Sequence, residues 1–218
     1  MNKTKVKVCC ISSISEAHLA LKSGADALGL VGHMPSGPGV ISDELIAAIV
    51  KAVPKETNTF LLTSETDARA IIAHHKKVGT STIQIVDTLT SGNHHIIKEA
   101  LPEVNLIQVL HVVDDRSIEE AITVAPWVDG ILLDSGNPNL QVKELGGTGR
   151  VHNWDVSRAI VNAVEIPVFL AGGLNPENAH KAINHVNPFG IDLCSGVRSN
   201  GNLDENKLSQ LFKTLSKI

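Results

Sequence analysis

A thiol and a carboxylate stand at the ends of two short apolar segments of the sequence. Cys9 lies in VKVCCI from residue 6, and Asp134 ends GILLD from residue 130. A thiolate in such a place could act as a general base if a cationic or dipolar neighbour lowered its pKa. A carboxyl group at an apolar rim could keep its proton and act as an acid. Both residues also have structural interpretations, because a cysteine in an apolar strand is usually a small buried hydrophobe and Asp134 could cap the next loop.

Three glycine-rich segments could bind an anion. Glycine lets backbone N–H groups approach a phosphate closely, and the N-terminus of the following helix adds a favourable dipole. Tight turns alone would also explain the glycines, but three such segments in successive loops favour a phosphate site. Asp192, just before the third segment, could orient a sugar hydroxyl or stabilise the loops. The candidate phosphate-binding residues are Gly146, Gly147, Thr148, Gly149, Gly172, Gly173, Ser195 and Gly196.

The elements that must position these residues alternate along the chain. Short apolar segments are each followed by a longer stretch with helical periodicity. This alternation predicts an α/β protein, a (β/α)8 TIM barrel that forms one domain over residues 1–218. An open dinucleotide-binding sheet would need a glycine-rich turn after the first strand, where the sequence reads CCISS. The eight predicted strands are VKVCCI from residue 6, ALGLV from 27, TFLLTS from 59, TIQIV from 82, LIQVLHV from 106, GILLDS from 130, PVFLAG from 167 and GIDLCS from 190.

Residues with a preference for helix ends separate the strands from the predicted helices. Ser13 and Glu16 form a capping-box pattern, and Gly24 is placed to end the first helix. Pro176 follows Asn175 at a predicted first helical position. The residues predicted to open helices are Ser13, Ser42, Ser64 with Asp67, Asn93, Ser117, Asn153 and Asn175.

Composition narrows the class of partner. The chain has 218 residues and a net charge of −4, with Lys+Arg 19 against Asp+Glu 23, so bulk charge does not indicate a nucleic-acid partner. No apolar run approaches the roughly 18 residues of a membrane helix, and the N-terminus has no signal-peptide pattern. Three cysteines without a C-x-x-C motif predict neither a disulfide framework nor a zinc site. We expect a soluble cytoplasmic protein that binds a small phosphosugar, without a metal, a membrane or nucleic acid.

The motifs together resemble one family, the phosphoribosylanthranilate isomerases of tryptophan biosynthesis. KVCCIS from residue 7 is similar to the family's K-[IV]-C-G-[IL]-[TK], and GADALGLV from residue 24 and LLD from 132 follow in family order. GGTG from residue 146 with NWD from 153, PVFLAGGLNPEN from 167 and GIDLCSGV from 190 complete the match. The resemblance therefore covers essentially the whole chain.

The resemblance implies an enzyme that performs an Amadori rearrangement of N-(5-phosphoribosyl)anthranilate without a cofactor. By position, Cys9 matches the general base that removes the C2 proton of the ribose, and Asp134 matches the acid that protonates the ring oxygen. Asp192 matches a substrate-orienting carboxylate. Gly172, Gly173, Ser195 and Gly196 match the phosphate cradle. Family members are monomers or dimers, so a homodimer is possible.

Three positions depart from the family pattern. Gly39 stands where an arginine normally pairs with the anthranilate carboxylate, a contact that glycine cannot make. Val86 stands in place of a histidine, and Cys10 in place of the glycine after the catalytic cysteine. One alternative is therefore an isomerase with a different N-substituent, and another is a phosphosugar-binding sensor without turnover. An aldolase is disfavoured because the strand ends offer no Schiff-base lysine.

Overall fold

The strands close into a barrel in the computed structural model, which describes residues 3–136 and 151–216. The barrel strands are β1 (Lys5–Val8), β2 (Ala27–Val31), β3 (Asn58–Thr63), β4 (Thr82–Ile85), β5 (Asn105–His111), β6 (Gly130–Asp134), β7 (Val168–Leu170) and β8 (Gly190–Leu193). All neighbours are parallel and follow chain order, and β1 pairs with β8 to complete the circle. The predicted (β/α)8 fold is confirmed.

A helix follows every strand and covers the outside of the barrel. The helices are α1 (Ile14–Ser23), α2 (Asp43–Ala52), α3 (Ala68–Val78), α4 (His94–Ala100), α5 (Arg116–Val124), α6 (Trp154–Ala163), α7 (Ala179–Val186) and α8 (Glu205–Leu215). None of the helices in the described ranges combines the length and the apolar character needed to cross a membrane.

Most predicted helix starts are confirmed at the level of single hydrogen bonds. In each, a side-chain oxygen accepts from a backbone N–H in the first turn, which satisfies a group the helix leaves unpaired. The first helix also ends as predicted, at Gly24 with φ +115° in the left-handed region. The confirmed caps are Ser13, Ser42, Asp67, Asn93 and Asn153.

Two predicted helix starts are wrong. Ser117 is buried within the first turn of α5, where its hydroxyl accepts from the Val113 N–H, so the helix begins before it. The Asn175 side chain accepts from the N–H groups of Glu177 and Asn178, which closes a turn ahead of the helix. The helix α7 therefore begins at Ala179.

The interior of the barrel is apolar but not entirely so. The rings of Phe60 and Phe169 meet edge to face, with centroids 5.9 Å apart. Lys7 and Asp192 are buried among the side chains of the same interior, on the adjoining strands β1 and β8. Branched side chains normally fill such a barrel, so this buried ion pair is an exception to the packing rule.

A short hairpin lies between β8 and α8. It consists of β9 (Arg198–Ser199) and β10 (Asn202–Leu203). The Arg198 guanidinium donates to the carbonyl oxygen of Cys10 and to the carboxylate of Glu16. The hairpin thereby holds the end of β1 against the start of α1.

Candidate active site

One cavity opens at the carboxyl ends of the barrel strands and brings the predicted residues together. Strand ends from opposite sides of the barrel contribute to its wall, as expected for the face that carries active sites in this fold. The predicted site residues that line it are Cys9, Asp134, Gly172, Gly173, Asp192 and Ser195.

Cys9 directs its thiol into this cavity rather than toward the helices. The residue is 5% exposed, and a Cβ added to Gly29 on β2 would lie 2.6 Å from its Sγ atom. Burial raises the pKa of the Cys9 thiol to about 11, although the charge of Lys7 acts in the lowering direction. The thiol lines the cavity where a proton transfer could occur, and a pKa of about 11 keeps it protonated at neutral pH.

Asp134 ends β6 and contributes a carboxyl group to the same cavity. Burial raises the pKa of this carboxyl, and the Ser135 N–H, which donates to it at 2.7 Å, offsets only part of that effect. His111 lies next to it, in register on β5. A buried carboxyl with a raised pKa keeps its proton to higher pH, which is what a general acid requires.

Asp192 offers one bound and one free oxygen. Its Oδ2 atom accepts from Lys7 Nζ at 2.7 Å, whereas the buried Oδ1 atom has no hydrogen-bond partner in the part of the chain that the structure describes. A buried acceptor without a partner costs free energy. At the wall of a cavity, such an oxygen can accept a hydrogen bond from a hydroxyl group of a bound sugar.

Gly172, Gly173 and Ser195 form part of the rim of the same cavity. Gly172 and Gly173 have φ of +80° and +62°, the left-handed region that glycine adopts without strain. Within residues 3–136 and 151–216, no acceptor meets the N–H groups of Gly172, Gly173, Ser195 and Gly196. Gly196 does not line the cavity but packs behind this rim, since a Cβ there would lie 2.0 Å from the Leu174 carbonyl oxygen. Backbone N–H groups without an acceptor beside a cavity are groups that an anion can use.

The first predicted phosphate loop, Gly146, Gly147, Thr148 and Gly149, lies outside the described residues. In the described residues, no three His, Cys, Asp or Glu side chains are grouped to hold a metal ion.

Cys10 and Cys194 form a disulfide, which the sequence analysis did not expect. The prediction was wrong because it relied on the number and spacing of the cysteines in the sequence. Closure of the barrel brings together two cysteines that are 184 positions apart, at the ends of adjacent strands. The bond connects the segment after β1 to the segment after β8 at the edge of the cavity. Cys9 remains a free thiol.

Lys7 is a residue beside the site that sequence reasoning did not single out. Its side chain is completely buried beside Cys9 and Asp192. The available signal was its spacing, because residues two apart on a strand face the same side, so Lys7 had to share the face of Cys9. A lysine in an apolar strand near the N-terminus otherwise resembles a solvated edge residue.

The fold and this cavity define a class: a (β/α)8-barrel protein whose thiol, carboxyl groups and glycine amides surround one cavity at the carboxyl ends of the strands. Comparison with known proteins identifies the family. A family model for N-(5'-phosphoribosyl)anthranilate (PRA) isomerase matches residues 6–214. The chain belongs to this family.

Individual relatives agree with that assignment. An N-(5'-phosphoribosyl)anthranilate isomerase 2 of Methanosarcina mazei is 35% identical over 206 residues, which cover 94% of this chain and 90% of the relative. The N-(5'-phosphoribosyl)anthranilate isomerase of Methanosarcina acetivorans is 32% identical, over 97% of this chain and 92% of the relative. The solved phosphoribosyl anthranilate isomerase of Thermotoga maritima superposes with a TM-score of 0.82 at 25% identity, over 99% of this chain and all of that one.

Proposed function

We propose that this protein isomerises N-(5'-phosphoribosyl)anthranilate, an aldose-to-ketose rearrangement, by general acid and base catalysis. Family membership over residues 6–214 is the observation that carries the proposal. The cavity supports it, because Cys9 and Asp134 line one space together with amide groups suited to a phosphate. The chemistry needs no group beyond these side chains.

In the proposed reaction, Asp134 protonates the ring oxygen of the ribose and the furanose opens. Its raised pKa supports this role, because the carboxyl must be protonated when the substrate binds. Cys9 then removes the C2 proton of the ribose, and the electrons shift toward the nitrogen to give the enol form of the ketose product. The phosphate is held by the N–H groups of Gly172, Gly173, Ser195 and Gly196, with Asp192 on a sugar hydroxyl.

The base must lose a proton before it can act. Burial raises the pKa of the Cys9 thiol to about 11, so only a small fraction of molecules carries the thiolate at neutral pH. Any neighbour that favours the thiolate increases that fraction, and with it the rate.

The experiment is a kinetic assay of the purified protein with N-(5'-phosphoribosyl)anthranilate. We expect turnover, and a fall in kcat of about 10²–10⁴-fold for Cys9→Ala and for Asp134→Asn. Both variants should still bind a product analogue, because the phosphate rim is untouched. Asp115→Asn is the matched control, since Asp115 is an exposed carboxylate at the same end of the barrel whose side chain does not cap α5.

Two outcomes would contradict the proposal. An absence of turnover with ligand affinity intact would favour the phosphosugar-binding sensor. Undiminished turnover by Cys9→Ala would remove the thiol as the base. The anthranilate group as the N-substituent, the homodimer, the cytoplasmic location and the single domain over residues 1–218 stay predictions of the sequence.

A further inference from the structure

A buried ammonium group lies under the cavity and has no part in the chemistry described so far. The Lys7 side chain is 0% exposed, and its Nζ atom donates to Asp192 Oδ2 at 2.7 Å. The two residues are in register on β1 and β8. Burial alone would lower the Lys7 pKa, but the interactions with Asp192 and Cys9 outweigh this effect and raise it, so the side chain is a cation.

The second polar neighbour of Lys7 is the thiol of Cys9. The two residues are two positions apart at the end of β1, so their side chains lie on the same face, and the charge of Lys7 lowers the pKa of the thiol. The Phe60 ring lies against the same ammonium, with its centroid 5.2 Å from Nζ. In a buried site a charge acts strongly on its polar neighbours, because water does not screen it.

The stability of the fold does not explain this arrangement. The desolvation of two buried charges costs about as much free energy as their attraction returns, so apolar residues of similar volume often replace a buried ion pair without loss. Apolar side chains are also the usual content of a barrel interior. The feature that apolar residues could not reproduce is a positive charge beside the thiol.

We propose that Lys7 is a positioning residue whose ammonium stabilises Cys9 as the thiolate, with Asp192 holding the ammonium in place. The inference rests on the proposed function, in which the Cys9 thiolate is the base. It assigns to Asp192 two opposed effects, since the carboxylate anchors Lys7 and its own negative charge disfavours a nearby thiolate.

The charged groups around the thiol determine the expected signs. Lys7 on the same strand favours the thiolate, and Asp192 on β8 opposes it. Asp134 on β6, with His111 beside it, lines the same cavity, and burial is the main cause of its raised pKa. Removal of the Lys7 charge should therefore raise the pKa of the thiol, and removal of the Asp192 charge should lower it.

The thiolate can be observed directly, because the ultraviolet absorbance of the full-length protein rises as the thiol loses its proton with increasing pH. Cys9 is the only free thiol, because the other two of the three cysteines form a disulfide. The chain has no tyrosine, so no tyrosinate absorbance interferes. A Cys9→Ser variant supplies the baseline, and circular dichroism at each pH verifies the fold.

We expect the thiol midpoint to rise by about one pH unit or more in Lys7→Met and to fall in Asp192→Asn, relative to the wild-type protein. Opposite shifts from two neighbouring variants distinguish a charge effect from general loosening of the site, which would move both in one direction. If Lys7→Met fails to fold, the comparison of Asp192→Asn with Lys7→Met/Asp192→Asn isolates the lysine, because neither protein contains an unpaired carboxylate.

Equal midpoints in Asp192→Asn and the double variant would overturn the inference. That result would leave the proposed function intact if the wild-type protein turns over N-(5'-phosphoribosyl)anthranilate. Shifted midpoints in a protein without turnover would support the role of Lys7 and contradict the proposed function.

Discussion

At the scale of residues, Cys10 and Gly39 lie so close together that only one of them can carry a side chain. Cys10 adopts φ +61°, a conformation in which a side chain is strained. A Cβ added to Gly39, which has φ +81°, would lie 2.5 Å from the Cys10 Cβ. The family resemblance places a glycine at the first position and an arginine at the second. In this chain the side chain is at position 10, and the loop after β2 has a glycine, Gly39, where it packs against Cys10.

This packing predicts that an arginine cannot be restored at residue 39 alone. Gly39→Arg should destabilise the protein by about 3 kcal/mol, because the new Cβ meets Cys10. Cys10→Gly removes the nearest contact and leaves only the Cα of residue 10, at 2.9 Å, so the double variant should be more stable than the sum of the single changes predicts. Urea unfolding under reducing conditions measures all four proteins without a contribution from the disulfide. Additivity within about 0.5 kcal/mol would show that the two positions are independent.

At the scale of elements, Glu16 connects α1 to the hairpin after β8. Its carboxylate accepts from the backbone N–H of Ser12 and of Leu203, and from the guanidinium of Arg198. Burial alone would raise the pKa of Glu16, but these donors outweigh it and lower the pKa to about 2. The predicted capping box therefore forms only in part, because the glutamate reaches the hairpin and Ser12 instead of its cap residue Ser13.

This network predicts an acid-dependent stability. Because the folded-state pKa of Glu16 is depressed, its contribution is complete above the ordinary value of 4.5 and is lost as the pH falls toward about 2. Glu16→Gln should lower the free energy of unfolding by about 2 kcal/mol at neutral pH. The difference from wild type should shrink through that acidic window, as measured by urea unfolding at several pH values. Glu119→Gln, the same change in the first turn of α5, is the control, and a pH-independent difference for Glu16→Gln would refute the linkage.

At the scale of the whole molecule, the disulfide between Cys10 and Cys194 closes a loop of almost the entire chain. The two residues are 184 positions apart, and they follow the first and last barrel strands. A cross-link over a long loop removes much conformational freedom from the unfolded chain. The disulfide therefore stabilises the pairing of β1 with β8, which closes the barrel.

We expect reduction of this disulfide to lower the free energy of unfolding by about 2–4 kcal/mol. Urea unfolding with and without a thiol reductant measures the difference. Cys10→Ala/Cys194→Ala serves as the control, because its midpoint should not respond to the reductant. Identical midpoints for the oxidised and reduced wild-type protein would contradict this prediction.

The sequence was sufficient for the order and type of the barrel strands and their helices, but not for the hairpin of β9 and β10. Apolar segments at regular spacing predicted all eight strands, since burial of such segments on both faces is a local property of composition. Caps such as Asn93 and Asn153 were predictable because a cap bonds within three residues of itself. Ser117 and Asn175 were wrongly predicted to begin helices, because each side chain accepts a hydrogen bond from a backbone N–H of a turn next to the helix instead.

The grouping of Cys9, Asp134 and Asp192 also followed from the sequence, because parallel strands in a barrel place their carboxyl ends on one face. The tertiary structure alone decided what surrounds these groups. The carboxylate of Asp192 meets the ammonium of Lys7, and the disulfide forms between Cys10 and Cys194, because closure of the sheet brings β1 against β8. Local patterns determine elements, whereas the pKa of the Cys9 thiol also depends on its burial and on a carboxylate from the far end of the chain.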